Sequence, residues 1–257
     1  MAILTKPIAV VILAAGKGKR MKSDLPKVLH EMGGKPMVEY VIDTAKQLEA
    51  KRIILVVGYK WEQTQKLIER YKVEFVVQKE QLGTGHAVLQ TKKLLSDFEG
   101  AVLILYGDVP LLTQSTINRL MQEHREKRAA VTVLTAILEN PSAYGRIIRD
   151  GNGMVQEIVE VKDASADQKK VKEINTGIYC FDKKALFSVL DKITNHNQQG
   201  EYYLTDAIKL LRERNLPVWG MVTTDPTETL GINSPEELQK MEKILLKRRS
   251  SQTRVFP

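Results

Sequence analysis

An unbroken apolar run, Ile8 to Ala15, leads this 257-residue chain into a loop with two glycines and four cations, Lys17, Lys19, Arg20 and Lys22. A run without polar alternation is the pattern of a parallel strand buried on both faces. Such a strand belongs to an α/β sheet covered by helices. A fifth cation, Lys27, follows Pro26 just downstream. Glycine lets backbone N–H groups approach a bound oxyanion, and clustered Lys and Arg neutralise its charge. The loop is therefore read as a polyphosphate site. It is not a dinucleotide fingerprint, because the third glycine position of G-x-G-x-x-G holds Met21, and no P-loop spacing occurs in the chain. Two plainer readings compete: a basic turn after a core strand, and a signal peptide with Lys6 as its charged flank. Cleavage after this run would discard the best core strand in the sequence, so the second is rejected.

The alternation continues downstream. Gly33-Gly34 makes a turn, and Met37, Val41, Ala45 and Leu48 form the stripe of a helix opened by Pro36. RIILVVG is a second strand, Trp61, Thr64, Leu67, Ile68 and Tyr71 fall at helical spacing, and VEFVV is a third strand. A fourth, AVLILYGDVPLL, precedes a helix over 115–127 and the strand AVTVLTAIL. Short apolar strands alternating with amphipathic helices predict βαβ units. The pattern then changes: YGRIIRDGNGMVQEIVE reads as an antiparallel hairpin about Asp150-Gly151-Asn152-Gly153. After it come KDASADQKKVKE, an exposed loop or short helix, and the strand INTGIYCFD. Helices near 183–193 and from Thr205-Asp206 with Ile208, Leu210 and Leu211 in the core, a last strand VWGMVTT, and a helix started by Ser234, Pro235 and Glu237 complete the chain.

Composition narrows the function. Apolar content of 43% and charged content of 27% are those of an ordinary globular protein. No apolar run reaches the length of a membrane span. The single Cys180 excludes a disulfide framework, suits a reducing cytoplasm and reads as a buried thiol within IYCFD. The net charge of +8 owes much to Lys240, Lys243, Lys247, Arg248, Arg249 and Arg254 in the last helix and tail. Without interleaved aromatics or a nucleic-acid module this is a solvated basic face, and nucleic acid is set aside.

Three further positions carry chemistry. QKEQLGTGHAVLQ places Gln78 and Gln81 before Gly83-Thr84 and a helix, and a glutamine amide offers the donor and acceptor that match uracil's edge. An ordinary loop at the start of a helix reads equally well there, and His86 is read as packing. Asp108 ends a buried strand at the carboxyl edge of the sheet, where α/β folds bind ligands, as a metal ligand or a turn cap. Asn233 immediately precedes the start of the last helix, where an asparagine is a common local cap.

The string A-A-G-K-G-K-R-M, a polar spacer and L-P-K-V-L-H closely resembles the nucleotide-binding signature of sugar-1-phosphate nucleotidylyltransferases, most of all the N-acetylglucosamine-1-phosphate uridylyltransferases. Q-L-G-T-G, Y-G-D, Y-G-R and G-E-Y-Y-L-T-D agree with that family in order. The resemblance implies a doubly wound, mostly parallel mixed sheet of the Rossmann-like nucleotidyltransferase fold, with a β-rich sugar-binding insertion. It implies a nucleotidyltransferase body over 1–229, its sugar-binding part at 139–229, and a helix and basic tail over 230–257. It assigns UTP to Leu13, Ala14, Ala15, Gly16, Lys27, Gln78, Gln81, Gly83 and Thr84, and the sugar to Tyr106, Gly145, Glu160, Asn175 and Asn233. Lys27, Arg20 and Asp108 would be catalytic, with Mg²⁺ on Asp108 and Asn233. The implied reaction joins UTP to N-acetylglucosamine 1-phosphate in the cytoplasm, for peptidoglycan in the cell wall, and leaves the oligomeric state open. A related transferase with another base or sugar, and a non-catalytic nucleotide-sugar sensor, are the alternatives. Bifunctional members continue into hexapeptide repeats that transfer an acetyl group; none follows here, so no acetyl transfer is expected.

Overall fold

A computed structural model describes residues 7–253; Lys6 and Arg254, used above in reading the two ends, lie outside the described residues. In chain order the elements are β1 (Ile8–Ala14), β2 (Glu31–Met32), β3 (Lys35–Pro36), α1 (Met37–Gln47), β4 (Arg52–Val57), α2 (Trp61–Ile68), β5 (Glu74–Val77), α3 (Thr84–Leu89), β6 (Ala101–Tyr106) and α4 (Gln114–Glu126). They continue with β7 (Val131–Ile137), β8 (Arg146–Arg149), β9 (Val155–Val159), α5 (Ala166–Lys170), β10 (Glu173–Asp182), α6 (Lys183–Leu190), α7 (Asp206–Glu213), β11 (Val218–Val222) and α8 (Pro235–Thr253). The mixed α/β architecture is the one expected from the alternation.

Among the described residues one large sheet runs in the order β11-β7-β10-β6-β1-β4-β5. β1 lies at its middle, parallel to both β4 and β6. Every strand on this path shares its direction except β10, which is antiparallel to β6 and to β7. The β8–β9 hairpin extends the sheet from the start of β10, through the pair Ile174 and Arg146. The two faces of β1 fill two separate cores. Ala9, Val11 and Leu13 join one with Val102, Ile104, Phe181 and Leu211, while Val10, Ile12 and Ala14 join the other with Val41, Ile42, Leu103 and Leu120. That is why the run carries no polar residue: in a strand covered on both sides each side chain loses its water. Burying each Val or Ile contributes about 1.5–3 kcal/mol.

Cys180 is wholly buried, and desolvation pushes its thiol up to about 12, so it packs as a small hydrophobe. Leu210 differs from the expectation: it is partly buried and packs against the core that holds Ile208 and Leu211. A third, smaller core of Met32, Met37, Leu111, Ile232, Met241 and Leu245 seats α8 against the β2–β3 hairpin. The parallel strands end at one edge of the sheet. The reversed β10 brings its beginning, Asn175, to that same edge. A cavity of about 560 Å³ opens at the opposite edge around Ile8, Ala101 and Pro217, away from every residue singled out for chemistry.

Candidate active site

Two cavities adjoin at the carboxyl edge. The first, about 340 Å³, is lined by Leu13, Ala14, Ala15, Gly16, Lys27, Gln78, Gln81, Gly83 and Thr84, with Val28, Ala87 and Glu201. The second, about 200 Å³, is lined by Gly145, Glu160, Asn175, Tyr144, Gly177 and Gly231 among others. Tyr106, Asp108 and Asn233 line both. All nine residues expected to hold the nucleotide thus lie around one cavity, and all five expected to hold the sugar lie around the other. Arg20 lines neither; it is exposed on the turn Lys19–Met21.

Each residue has a local reason for its place. β1 delivers Leu13 and Ala14 and then turns at Gly16. Gly18 adopts φ 60°, and a Cβ there would stand 2.5 Å from the Lys27 Cβ. Glycine is required twice over, for the left-handed backbone and for the close passage of Lys27. Lys27 heads a short turn after Pro26, and its ammonium forms an ion pair with Asp108 and donates to Asn233 Oδ1 at 3.0 Å. The Lys27 and Asp108 side chains are only 15% and 11% exposed, so water screens their attraction weakly. Asp108 and Asn233 are brought together by the backbone: Ile232 N–H donates to the Asp108 carbonyl at 2.9 Å. Asn233 Nδ2 donates to the Gly231 carbonyl at 3.2 Å, which leaves Oδ1 facing Asp108 and Lys27.

The loop with the two glutamines is held by the G-E-Y-Y-L-T-D stretch. Tyr202 N–H donates to the Leu82 carbonyl and Gly85 N–H to the Tyr202 carbonyl, both at 2.8 Å, and Leu204 N–H donates to Thr84 Oγ1 at 3.0 Å. At Gly83, with φ 113°, a Cβ would meet the Tyr202 carbonyl oxygen at 2.6 Å. The buried Gln78 spends its Nε2 on the Gly83 carbonyl at 3.1 Å and on His86 Nδ1 at 3.0 Å, leaving Oε1 as its available polar atom. His86 therefore braces the loop, as packing at the start of the helix requires. Gln81 donates to the Gln78 carbonyl at 3.0 Å.

In the second cavity Asn175 Oδ1 accepts from Gly177 N–H and Tyr179 Oη, each at 3.0 Å. At Gly177, with φ 82°, a Cβ would strike the Tyr106 ring at 2.7 Å; the bulge between Asn175 and Tyr179 makes room for that ring. Burial raises the Glu160 carboxyl above its ordinary range, although the Thr205 hydroxyl opposes this as a donor at 3.4 Å. Burial also raises the Tyr106 and Tyr144 phenols, with the Gly231 backbone and Arg20 acting the other way on Tyr144. Sequence reasoning missed Tyr144, Gly231 and Glu201. The strings Y-G-R and G-E-Y-Y-L-T-D marked the neighbourhoods of Tyr144 and Glu201, but only the folded chain turns those two into cavity walls.

A glycine-containing cationic loop after a central parallel strand, with two joined cavities at the carboxyl edge, defines a nucleotidyltransferase-type α/β fold. The MobA-like NTP transferase domain family matches residues 10–177, more than half of the chain, and the chain belongs to that family. It is 48% identical to the bifunctional protein GlmU of Bacillus licheniformis over 93% of this chain and 52% of that protein. For the bifunctional protein GlmU of Bacillus subtilis the identity is 47%, with the same shares. The chain spans about half the length of the curated relatives it matches. A crystal structure of a UDP-glucose pyrophosphorylase complexed with UDP-glucose superposes over 95% of this chain and 100% of that one, with a TM-score of 0.74 at 17% identity, which shows the fold in common.

Proposed function

We propose that this chain is a uridylyltransferase that makes UDP-N-acetylglucosamine and pyrophosphate from UTP and N-acetylglucosamine 1-phosphate. The observation that carries the reading is the pair of cavities meeting at Tyr106, Asp108 and Asn233, one ringed by phosphate-loop and amide groups and the other by hydroxyl-seeking groups. Likeness to the GlmU proteins over nearly the whole chain supports the same substrates.

In this reading the uracil edge meets Gln78 Oε1, Gln81 and the Gly83-Thr84 backbone, and the triphosphate runs along Gly16 toward Lys27. The sugar hydroxyls face Glu160, Asn175 and Gly145. A phosphate oxygen of the sugar phosphate attacks the α-phosphorus of UTP; that P–O bond forms as the bond to the β-phosphate bridging oxygen breaks, and pyrophosphate departs. No proton transfer and no covalent enzyme intermediate are needed. Two anions must meet, so the protein's work is positioning and charge neutralisation. Lys27 stabilises charge at the reacting phosphorus, and Arg20, exposed on the turn Lys19–Met21 beside the cavity, holds the leaving pyrophosphate.

The donor set fits Mg²⁺. Asp108 and Asn233 turn one carboxylate and one amide oxygen toward a single positive charge, the Lys27 ammonium. Two protein oxygens leave the rest of a coordination sphere to water and phosphate, which is how Mg²⁺ is commonly held. When bound, Mg²⁺ supplies charge neutralisation at the facing phosphates. We assign residues 1–229 to the transferase body, with the sugar-binding part at 139–229 and the helix and tail at 230–257, and place the protein in the cytoplasm, where its single thiol stays reduced. Pyrophosphate release from UTP and N-acetylglucosamine 1-phosphate tests the reading; its absence would overturn it.

A further inference from the structure

Ser234, Pro235 and Glu237 have the spacing of a capping box, in which the third helical residue's carboxylate returns to the backbone N–H of the cap itself. Half of that arrangement is present: Glu237 N–H donates to Ser234 Oγ at 3.2 Å. The other half is displaced by one residue. The Glu237 carboxylate Oε2 accepts from the backbone N–H of Asn233, at 2.6 Å. A carboxylate that would ordinarily serve the helix is spent on the residue whose side chain faces Asp108 and Lys27.

We infer that Glu237 is a positioning residue for the transfer reaction, holding Asn233 so that its side-chain oxygen faces the point it shares with Asp108. The inference rests on the reading of the site given above. Asn233 has other supports as well, the first being Lys27, whose ammonium donates to its Oδ1 at 3.0 Å. Its Nδ2 donates to the Gly231 carbonyl, two residues back, and the neighbouring Ile232 N–H donates to the Asp108 carbonyl. Those bonds set where the loop passes and which way the amide is turned. None of them ties the Asn233 N–H to α8, although the preceding Ile232 is itself buried in the small third core. The Glu237 bond does, because Glu237 stands in the first turn of α8, whose Met241 and Leu245 are buried against Met32 and Met37. The chain of support runs from that small core through α8 and Glu237 to Asn233. A hydrogen bond to an ionised carboxylate is short and about twice as strong as a neutral one, which suits this task. An amide side chain at position 237 would keep the acceptor oxygen and most of the geometry; a methyl group would lose both.

The experiment compares Glu237→Ala, Glu237→Gln and Ser234→Ala with the unaltered protein in three measurements. These are Mn²⁺ affinity in the presence of UTP, read by electron paramagnetic resonance of the free ion; kcat and KM for UTP; and melting temperature. Ser234→Ala removes the ordinary cap of the same helix and serves as the structural control. Expected are a roughly 10-fold loss of Mn²⁺ affinity and a similar fall in kcat for Glu237→Ala, with KM for UTP within about 2-fold. Glu237→Gln should restore most of both. Ser234→Ala should lower the melting temperature and leave Mn²⁺ affinity in place. Glu237→Ala with unchanged Mn²⁺ affinity and kcat, or with losses matched by Ser234→Ala, would overturn the inference while leaving the uridylyltransferase reading standing. An unaltered protein that neither binds Mn²⁺ nor turns over UTP would overturn both.

Discussion

Lys27 and Asn233, 206 positions apart, meet at 3.0 Å between the Lys27 ammonium and the Asn233 amide oxygen. Asp108, 81 positions from Lys27, takes the other side of the same ammonium. One cation thus bridges the two oxygens assigned to the metal. The phosphate loop, the end of β6 and the loop before α8 converge on a single point.

Removing that cation should have two effects. Lys27→Ala should lower turnover by roughly 10²- to 10³-fold, the usual cost of losing one preorganised charge stabiliser. It should also lower the melting temperature, because Asp108 is left in a poorly hydrated place without a neutralising partner. The double variant Lys27→Ala/Asp108→Asn should recover the melting temperature and remain inactive. Calorimetry and initial rates on the unaltered protein and these two variants check this; full turnover in Lys27→Ala would contradict the assignment.

The phosphate loop should not tolerate a side chain at Gly18. A left-handed backbone costs an L-residue about 1–2 kcal/mol, and the new methyl would press on Lys27 as well. Gly18→Ala should therefore lose turnover and stability together. Gly16→Ala, where a Cβ meets nothing within 4 Å, should lose far less stability. Equal melting temperatures for the two would show that the close passage of Lys27 is unimportant.

Much of this was legible in the sequence, for reasons particular residues make plain. β1 announced itself because both of its faces are buried, and composition alone reports that. Gly18 was legible as a loop glycine, and the fold requires it there, because a left-handed turn passed closely by another side chain admits only glycine. Periodicity, however, reports faces and says nothing of neighbours. Nothing in INTGIYCFD reveals that β10 reverses direction between β6 and β7. The β2–β3 pair, two residues to a strand, is too short to carry a period. The clasp between Leu82, Gly85 and Tyr202 is made by backbone groups, which every residue owns, so G-E-Y-Y-L-T-D showed itself as a motif and hid its work. Glu237 was read correctly as a cap residue, yet its partner lies one residue off the usual pattern.

Glu160 gives a prediction in pH. Burial raises its carboxyl above the ordinary value, so it becomes neutral at a higher pH than an exposed glutamate. Below that point it no longer accepts sugar hydroxyls as an anion, and KM for the sugar phosphate should rise as pH falls through the raised value. Its effect on stability has the opposite sign. A carboxyl with a raised pKa favours the fold at acid pH, and that contribution is lost as pH rises through the folded value. Glu160 itself therefore does not drive unfolding in acid. A melting curve at each pH separates weaker sugar binding from the acid loss of stability carried by Asp225, whose carboxyl is held below its ordinary value. Glu160→Gln should flatten the acid limb of the KM profile; an unchanged limb would remove Glu160 from the sugar site.

Base choice should depend on the braced amide of Gln78. Its Nε2 already serves Gly83 and His86, so Gln78→Ala should remove the proposed base contact and loosen the loop at once. KM for UTP should rise and the preference for UTP over CTP should shrink, by roughly 10-fold, the worth of one or two hydrogen bonds. His86→Ala should reproduce the loss of affinity with less loss of preference. Ratios of kcat/KM for the two nucleotides decide between contact and bracing.

The central claim concerns which two substrates the joined cavities bring together. Pyrophosphate release, measured for UTP, CTP, ATP, GTP and dTTP, each with N-acetylglucosamine 1-phosphate and with glucose 1-phosphate in the presence of Mg²⁺, tests it most directly. The account predicts that UTP with N-acetylglucosamine 1-phosphate exceeds every other pair by at least about 10-fold in kcat/KM, and that a chelator abolishes release. Release from no pair, or a maximum at another base or sugar, would contradict it.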